Sequence, residues 1–339
     1  MSIQVLTTAL NAVMPIVLLI VLGYLLRQKG VLTDQFLSIG NKLVFSVCLP
    51  VMMFVNVYGI ASISDVRWDI CLYSVAAVAL LFLLGIVMAL AVTPVPERRG
   101  VLLQCSFRSN FAIIGMPLAA TLGGEAGAAV AAVLSAVTVP VFNVLAVIAL
   151  SAFRRENGRP VSGRKLLLDV VQNPLIDGVA LGVAALLIRQ WQVAQFGSVA
   201  FSLQRDLPWL YSAAKDLKSI ASPLALLRLG GQFRFSAVKE LWKEVAAGTV
   251  CRTVMAPLLG VGGAVLLGNW GVLQCGPAEY PALIALFGSP VAVSSAIMAR
   301  EMHNDEQLAT QLVVWTSIAS IVTVFLTVCL MMSLGLLAG

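Results

Sequence analysis

Cys105-Ser106-Phe107-Arg108-Ser109-Asn110-Phe111-Ala112-Ile113-Ile114-Gly115-Met116-Pro117 lies inside an apolar stretch, and its closing Gly-x-Pro recurs as Gly288-Ser289-Pro290 inside another. The same offset of 173 residues carries Lys42 onto Lys215 and Pro50 onto Pro223, which points to an internal duplication. Proline has no amide hydrogen and its ring clashes with the carbonyl four residues earlier, while glycine takes backbone angles closed to other residues. Each site therefore reads as a short unwound stretch near the middle of its span, followed by a new helix with proline in its first turn. Either site alone could be an ordinary proline kink. A matched pair in corresponding hydrophobic segments is the sequence pattern of a secondary transporter's binding site. Two unwound stretches crossing at mid-membrane would present two positive helix N-termini and several free carbonyls, tolerable only around an enclosed or watered cavity.

The whole composition agrees with a membrane setting. Of 339 residues, 60% are hydrophobic and 11% charged, and the mean hydropathy is +0.96. That leaves too little polar surface to coat a soluble particle, so the chain reads as an integral membrane protein. The net charge of +6 does not point to a nucleic acid partner, because the basic residues collect in short loops between apolar spans. Met1 to Asn11 lack the basic n-region of a secretory signal, and the run from Ala12 to Leu26 ends in Arg27-Gln28-Lys29 rather than a cleavage site. It is expected to be a retained first helix. The six cysteines form no Cys-x-x-Cys pair, and His303 sits in a polar loop beside Glu301, Asp305 and Glu306. Neither a disulfide framework, a metal site nor a cofactor is signalled.

Ten stretches approach the roughly 20 apolar residues that a spanning helix needs: 8–26, 38–58, 70–92, 101–122, 127–152, 170–189, 207–230, 245–268, 280–299 and 308–337. The seventh is interrupted by Lys215, Asp216, Lys218 and Arg228, and the stretch from Val193 to Leu203 before it could lie at the interface. Two sets of five result, a first repeat over 1–152 and a second over 170–339, joined by an Arg-rich connector at 153–169. Thirteen Lys and Arg lie in the loops after the odd-numbered spans, against three (Arg67, Arg189, Arg205) on the other face. This bias places the connector in the cytoplasm and both termini outside the cell, or in the periplasm of a two-membrane cell. Because five is odd, the second set enters from the opposite face, so the duplication is inverted. Lys42 and Lys215, each eight residues before a proline, read first as snorkelling anchors.

Charges inside spans are costly and are functional candidates by default. Arg108 lies two residues before Asn110 at the end of the first half of the fourth span. Binding a substrate anion and capping a helix C-terminus are both open to it. Asp177 in the sixth span and Arg252 in the eighth read as a structural ion pair, or as separate snorkelling side chains, ahead of proton-coupling groups. The candidate substrate-binding set is Arg108, Asn110, Gly115, Pro117, Ser289 and Pro290. No catalytic residue stands beside them: the spans hold no nucleophile with a base, no paired carboxylates and no metal cluster.

The pattern Ser106-Phe107-x-x-Asn110-(x4)-Gly115-x-Pro117, followed by Gly124-Glu125, resembles the fourth-helix signature of the auxin efflux carrier family. Asn173-Pro174 with Gly182, Pro223 with Gly230, and Pro290 with Ala299, Asp305 and Thr316 match that family's weaker patterns in order. The resemblance implies an all-α integral membrane protein of ten transmembrane helices, in a 5+5 inverted repeat with crossed broken helices four and nine, related to the bile-acid sodium symporter fold. It also implies a homodimer, and an elevator motion against a scaffold of helices one, two, six and seven. Substrates of such proteins are organic anions: auxin in plants, malate or malonate in bacterial relatives. Two positions depart from the family. Arg108 stands where a small residue is usual, and the usual Asn-Thr-Gly is here Asn110-Phe111-Ala112. The long cytoplasmic loop of many plant members is missing, as in a compact bacterial-type member.

The expected function is secondary transport of small organic anions, carboxylates foremost, by alternating access in the cell membrane. Asn110 would hydrogen-bond the carboxylate, half-helices beginning near Pro117 and Pro290 would lend their positive ends, and Arg108 would add a charge. The implied partners are the anion, the lipid bilayer and a second copy of the chain. A sodium- or proton-coupled symporter of a larger amphipathic acid and a non-transporting membrane sensor are the alternatives.

Overall fold

The computed structural model describes residues 2–59, 67–153, 155–156, 159–160, 168, 171–234 and 236–337. They are helical throughout, except for loops and a two-residue ribbon, Arg155–Glu156 against Arg159–Pro160. The first half consists of α1 (Ser2–Gln28), α2 (Asp34–Tyr58), α3 (Trp68–Val92), α4 (Pro96–Phe107), a π-helical turn (Phe111–Gly115) and α5 (Met116–Ala152). After the connector come α6 (Pro174–Phe196), α7 (Pro208–Gln232), α8 (Ala237–Asn269), α9 (Glu279–Gly288), α10 (Ser294–Glu301) and α11 (Glu306–Ser333). Most of the connector, including Arg154, Arg164 and Lys165, lies outside the described residues.

Local chemistry sets several helix ends. The side chains of Thr33, Asn173 and Asp305 accept hydrogen bonds from the amides of Phe36, Leu175 and Leu308, satisfying donors that the first turn leaves free. Gly197 closes α6 in the left-handed conformation, at φ 70°. The interrupted seventh stretch is nonetheless one unbroken helix, α7, because Lys215 and Asp216 stay at its surface.

Among the described residues, six helical segments are long and apolar enough to cross a membrane. One of these, Phe111–Ala152, covers 42 residues, which as a straight helix would reach about 63 Å, roughly twice a bilayer core. It is bent instead at Gly124, whose φ of 61° and ψ of −151° are open to glycine alone. A Cβ on Gly127 would lie 2.7 Å from Ala119 O, so the chain doubles back at this bend.

Three prolines inside spans follow a widened turn. Pro50, Pro117 and Pro257 each lie two residues beyond a five-residue π-helical segment: Val44–Cys48, Phe111–Gly115 and Cys251–Met255. The wider turn takes up the carbonyl that each proline ring would strike, and the helix continues. Pro290 lies instead in a gap, between α9 and α10. The expected interruption at Gly115-Met116-Pro117 is therefore corrected: helix runs through it, and the break falls earlier, at Arg108–Asn110.

Helices α1, α7, α2 and α6 pack in a row. Glycines let their backbones touch: a Cβ on Gly23 would lie 2.0 Å from Leu227 O, one on Gly230 would lie 1.9 Å from Ile20 O, and one on Gly178 would lie 2.3 Å from Pro50 O. The second group is built by α3 against α4, α5 against α9, and α8 against α11. Large apolar side chains such as Leu72, Leu83 and Val87 of α3 and Leu181 and Leu187 of α6 face outward. That surface is stable only against lipid.

Candidate functional site

The two gaps meet. Asn110 N–H donates to Pro290 O at 2.8 Å and Ala292 N–H donates to Arg108 O at 3.2 Å, so Ser109 and Val291 face each other as an isolated antiparallel bridge. Arg108 is extended, at φ −81° and ψ 99°, and Ser289 is extended at φ −64° and ψ 146°. This small patch of strand exchanges the backbone hydrogen bonds that the two helices give up, which unwound chain inside a membrane requires. Val291 N–H is taken by Thr316 Oγ1 of α11 at 3.2 Å.

Side chains of the first gap turn towards a cavity of about 40 Å³ between the crossing and the α1–α7–α2–α6 row. Leu49, Met52 and Met53 of α2 and Ala221, Ser222 and Ala225 of α7 line it on one side, and Arg108, Ser109, Asn110 and Ser294 line it on the other. The volume suits a few waters, at roughly 10–15 Å³ each.

Arg108 is 3% exposed, and every partner of its guanidinium is neutral: Asn143 Oδ1 at 2.8 Å, Ser294 Oγ at 3.0 Å and the sulfur of Met298. Among the described residues it makes no ion pair. Asn143 is held in turn, its amide donating to Val139 O at 2.8 Å and to the sulfur of Met53 at 2.7 Å. Asn110 is 4% exposed, and among the described residues its side-chain nitrogen has no partner; neither does the hydroxyl of Ser109. Two helix starts flank the same cavity, at Phe111 and at Ser294. One buried cation, one unspent amide donor and two positive helix ends thus converge on one small space.

The other expected site residues are placed differently. Ser289 turns its hydroxyl back onto Ala285 O at 2.6 Å, and Pro290 contributes its carbonyl to Asn110. Gly115 lies where α9 passes closest, since a Cβ there would approach Ala285 O to 2.9 Å and the Phe111 ring to 2.3 Å. Pro117 sits in the first turn of α5, away from the cavity. Sequence reasoning missed Asn143 and Ser294. Asn143 did carry a signal, as the one amide side chain in an otherwise apolar fifth span.

Arg252 and Asp177 also depart from expectation. Among the described residues Arg252 pairs with no carboxylate, and it does not snorkel; it is 1% exposed and donates to backbone carbonyls at the gap. Asp177 is exposed on α6, without an ion pair among the described residues. At one end of the molecule, the turn between α10 and α11 is tied across to the row: Glu306 pairs with Arg228 of α7 and Glu301 accepts from Asn41 of α2. Arg98 of α4 bridges Glu244 and Asp305, each at 3.0 Å.

The sequence model of a family described as membrane transport protein matches residues 8–328. An uncharacterized transporter of Methanothermobacter thermautotrophicus is 22% identical over 328 residues, covering 92% of this chain and 95% of that protein.

Proposed function

The chain belongs to the membrane transport protein family, and from that premise we propose that it is a carrier of small organic anions, carboxylates foremost. The observation that carries this reading is Arg108: a cation buried at the crossing with only neutral partners, beside the unpaired amide of Asn110. An isolated buried charge is expensive and calls for a counter-charge. A carboxylate entering the cavity supplies it, with one oxygen facing the planar guanidinium and another facing Asn110. Phe111 and Ser294 begin the two helices whose positive ends add to the attraction.

The fold supports a ten-crossing reading when the Gly124 bend is taken as a reversal and α4 and α9 are continued through their gaps. Five crossings then precede the connector and five follow it, the 5+5 inverted repeat over 1–152 and 170–339. In this reading α1, α2, α6 and α7 form the fixed scaffold and dimer-forming part of a homodimer, and the crossing slides past them as an elevator. The contacts of Arg228 with Glu306 and Asn41 with Glu301 hold the two parts together and must open for that motion. The chain is a multi-pass membrane protein; we place it in the cell membrane with both termini outside. The cavity's small volume supports a compact acid over a large amphipathic one.

A thermal-shift screen of mono- and dicarboxylates on the purified protein tests the reading, because a ligand that binds only the folded state raises its stability. Malonate- or malate-sized anions are expected to raise Tm where chloride at equal ionic strength does not. Indifference to every carboxylate would remove the anion reading.

A further inference from the structure

Carbonyls freed at the end of a broken helix are where carriers of this build hold a coupling cation. Here four such carbonyls converge on one side chain. Arg252 Nε donates to Ser289 O at 2.9 Å, and Nη2 donates to Phe287 O at 3.0 Å and Leu286 O at 3.1 Å. Nη1 reaches Ser106 O at 3.5 Å. Leu286 and Phe287 belong to the last turn of α9 and Ser289 follows it, while Ser106 lies in the last turn of α4. The guanidinium therefore joins the negative ends of both half-helices. Each such end is worth roughly half an elementary charge, so one fixed cation offsets the pair. Its planar array of five donors suits several carbonyls at once, which a point-like ammonium does not.

We propose that Arg252 is a tethered counter-cation: its guanidinium fills the carbonyl cage at the crossing that a free sodium ion would otherwise need, and the crossing is organised without bound sodium. The two buried arginines at the crossing then divide their labour. Arg108 is met by side chains of α5 and α10 and lines the cavity, whereas Arg252 comes from α8, is met by backbone carbonyls and lies outside the cavity lining. A sodium ion placed among the same oxygens would sit in contact with a like charge. The importance of the cage for coupling rests on the carrier reading above. The cage itself does not, and its test needs no transported anion.

The test is the melting temperature of the purified full-length protein in NaCl, KCl and choline chloride at equal ionic strength. The parent is expected to melt at the same temperature in all three. Arg252→Ala empties the cage, and is expected to melt lower and to regain roughly 3 °C or more with Na⁺ or millimolar methylguanidinium, but not with choline. Where Arg252→Ala gives no folded protein, Arg252→Gln keeps a donor and drops the charge, and is expected to show the same preference for Na⁺ or methylguanidinium. A sodium-specific rise in the parent's Tm would overturn the proposal, since a free cation would then bind beside Arg252. A folded Arg252→Ala or Arg252→Gln protein that ignores every small cation would also overturn it, leaving Arg252 as packing.

Discussion

Replacing Arg108 by Gln separates the cost of holding a buried cation from its use. In the parent the guanidinium is 3% exposed and bonded to Asn143, Ser294 and Met298, none of which carries charge. An uncompensated buried charge costs several kcal/mol, whereas a Gln amide carries no charge to desolvate. Without ligand, Arg108→Gln should therefore melt no lower than the parent. With ligand the sign reverses. A hydrogen bond to a charged group contributes about 1.5–3 kcal/mol net, so losing the guanidinium should weaken a carboxylate roughly 10- to 150-fold. At a ligand concentration of about 100 times the parent's Kd, the parent gains about 2.7 kcal/mol; a variant binding about 100-fold more weakly gains about 0.4 kcal/mol. Scanning fluorimetry with malonate and acetate reads both quantities, and malonate, with two charges to satisfy, should lose more than acetate. A large drop in ligand-free Tm together with an undiminished malonate shift would refute this reasoning and assign Arg108 to holding the helix ends.

Gly230→Ala places a Cβ 1.9 Å from Ile20 O, so α1 and α7 must part by more than about 1 Å, at a cost of about 1–3 kcal/mol. Gly40→Ala, where nothing lies within 4 Å, should be neutral or mildly stabilising, and thermal melts of the two variants check the contrast. A cysteine at Ser162 in a Cys-free background should react with an impermeant maleimide only from the cytoplasmic face, as the thirteen-to-three distribution of basic residues requires. Labelling from outside would reverse the orientation and with it the inverted repeat.

The sequence shows the membrane class and the approximate spans openly, because a run of apolar residues has few other fates in a chain of this composition. It also points to the crossing, but locates only half of it. Pro290 lies in its gap, whereas Pro117 follows a π-helical segment that absorbs the ring and keeps the helix whole. The break at Arg108-Ser109-Asn110 contains neither glycine nor proline. What opens it is the exchange of backbone hydrogen bonds with Pro290 and Ala292, residues far away in the sequence. Asn143 was invisible as Arg108's partner for the same reason: a contact between α4 and α5 across the Gly124 bend has no local signature. In the sequence Arg252 reads as half of an ion pair or as a snorkelling side chain, because sequence displays carboxylates and not free carbonyls. The family match over residues 8–328 bears out the resemblance drawn from the fourth-span motif.

Counterflow of radiolabelled malonate in proteoliposomes, parent against Asn110→Ala, tests the central claim most directly. Asn110 offers the side-chain amide at the cavity that has no partner among the described residues, while held in place by its own backbone bond to Pro290. The account predicts saturable counterflow by the parent, competed by malate, and none by Asn110→Ala at equal reconstitution. Counterflow through Asn110→Ala equal to the parent's would place the anion somewhere other than the crossing. Its absence from the parent with every small carboxylate tried would contradict carriage of such anions altogether.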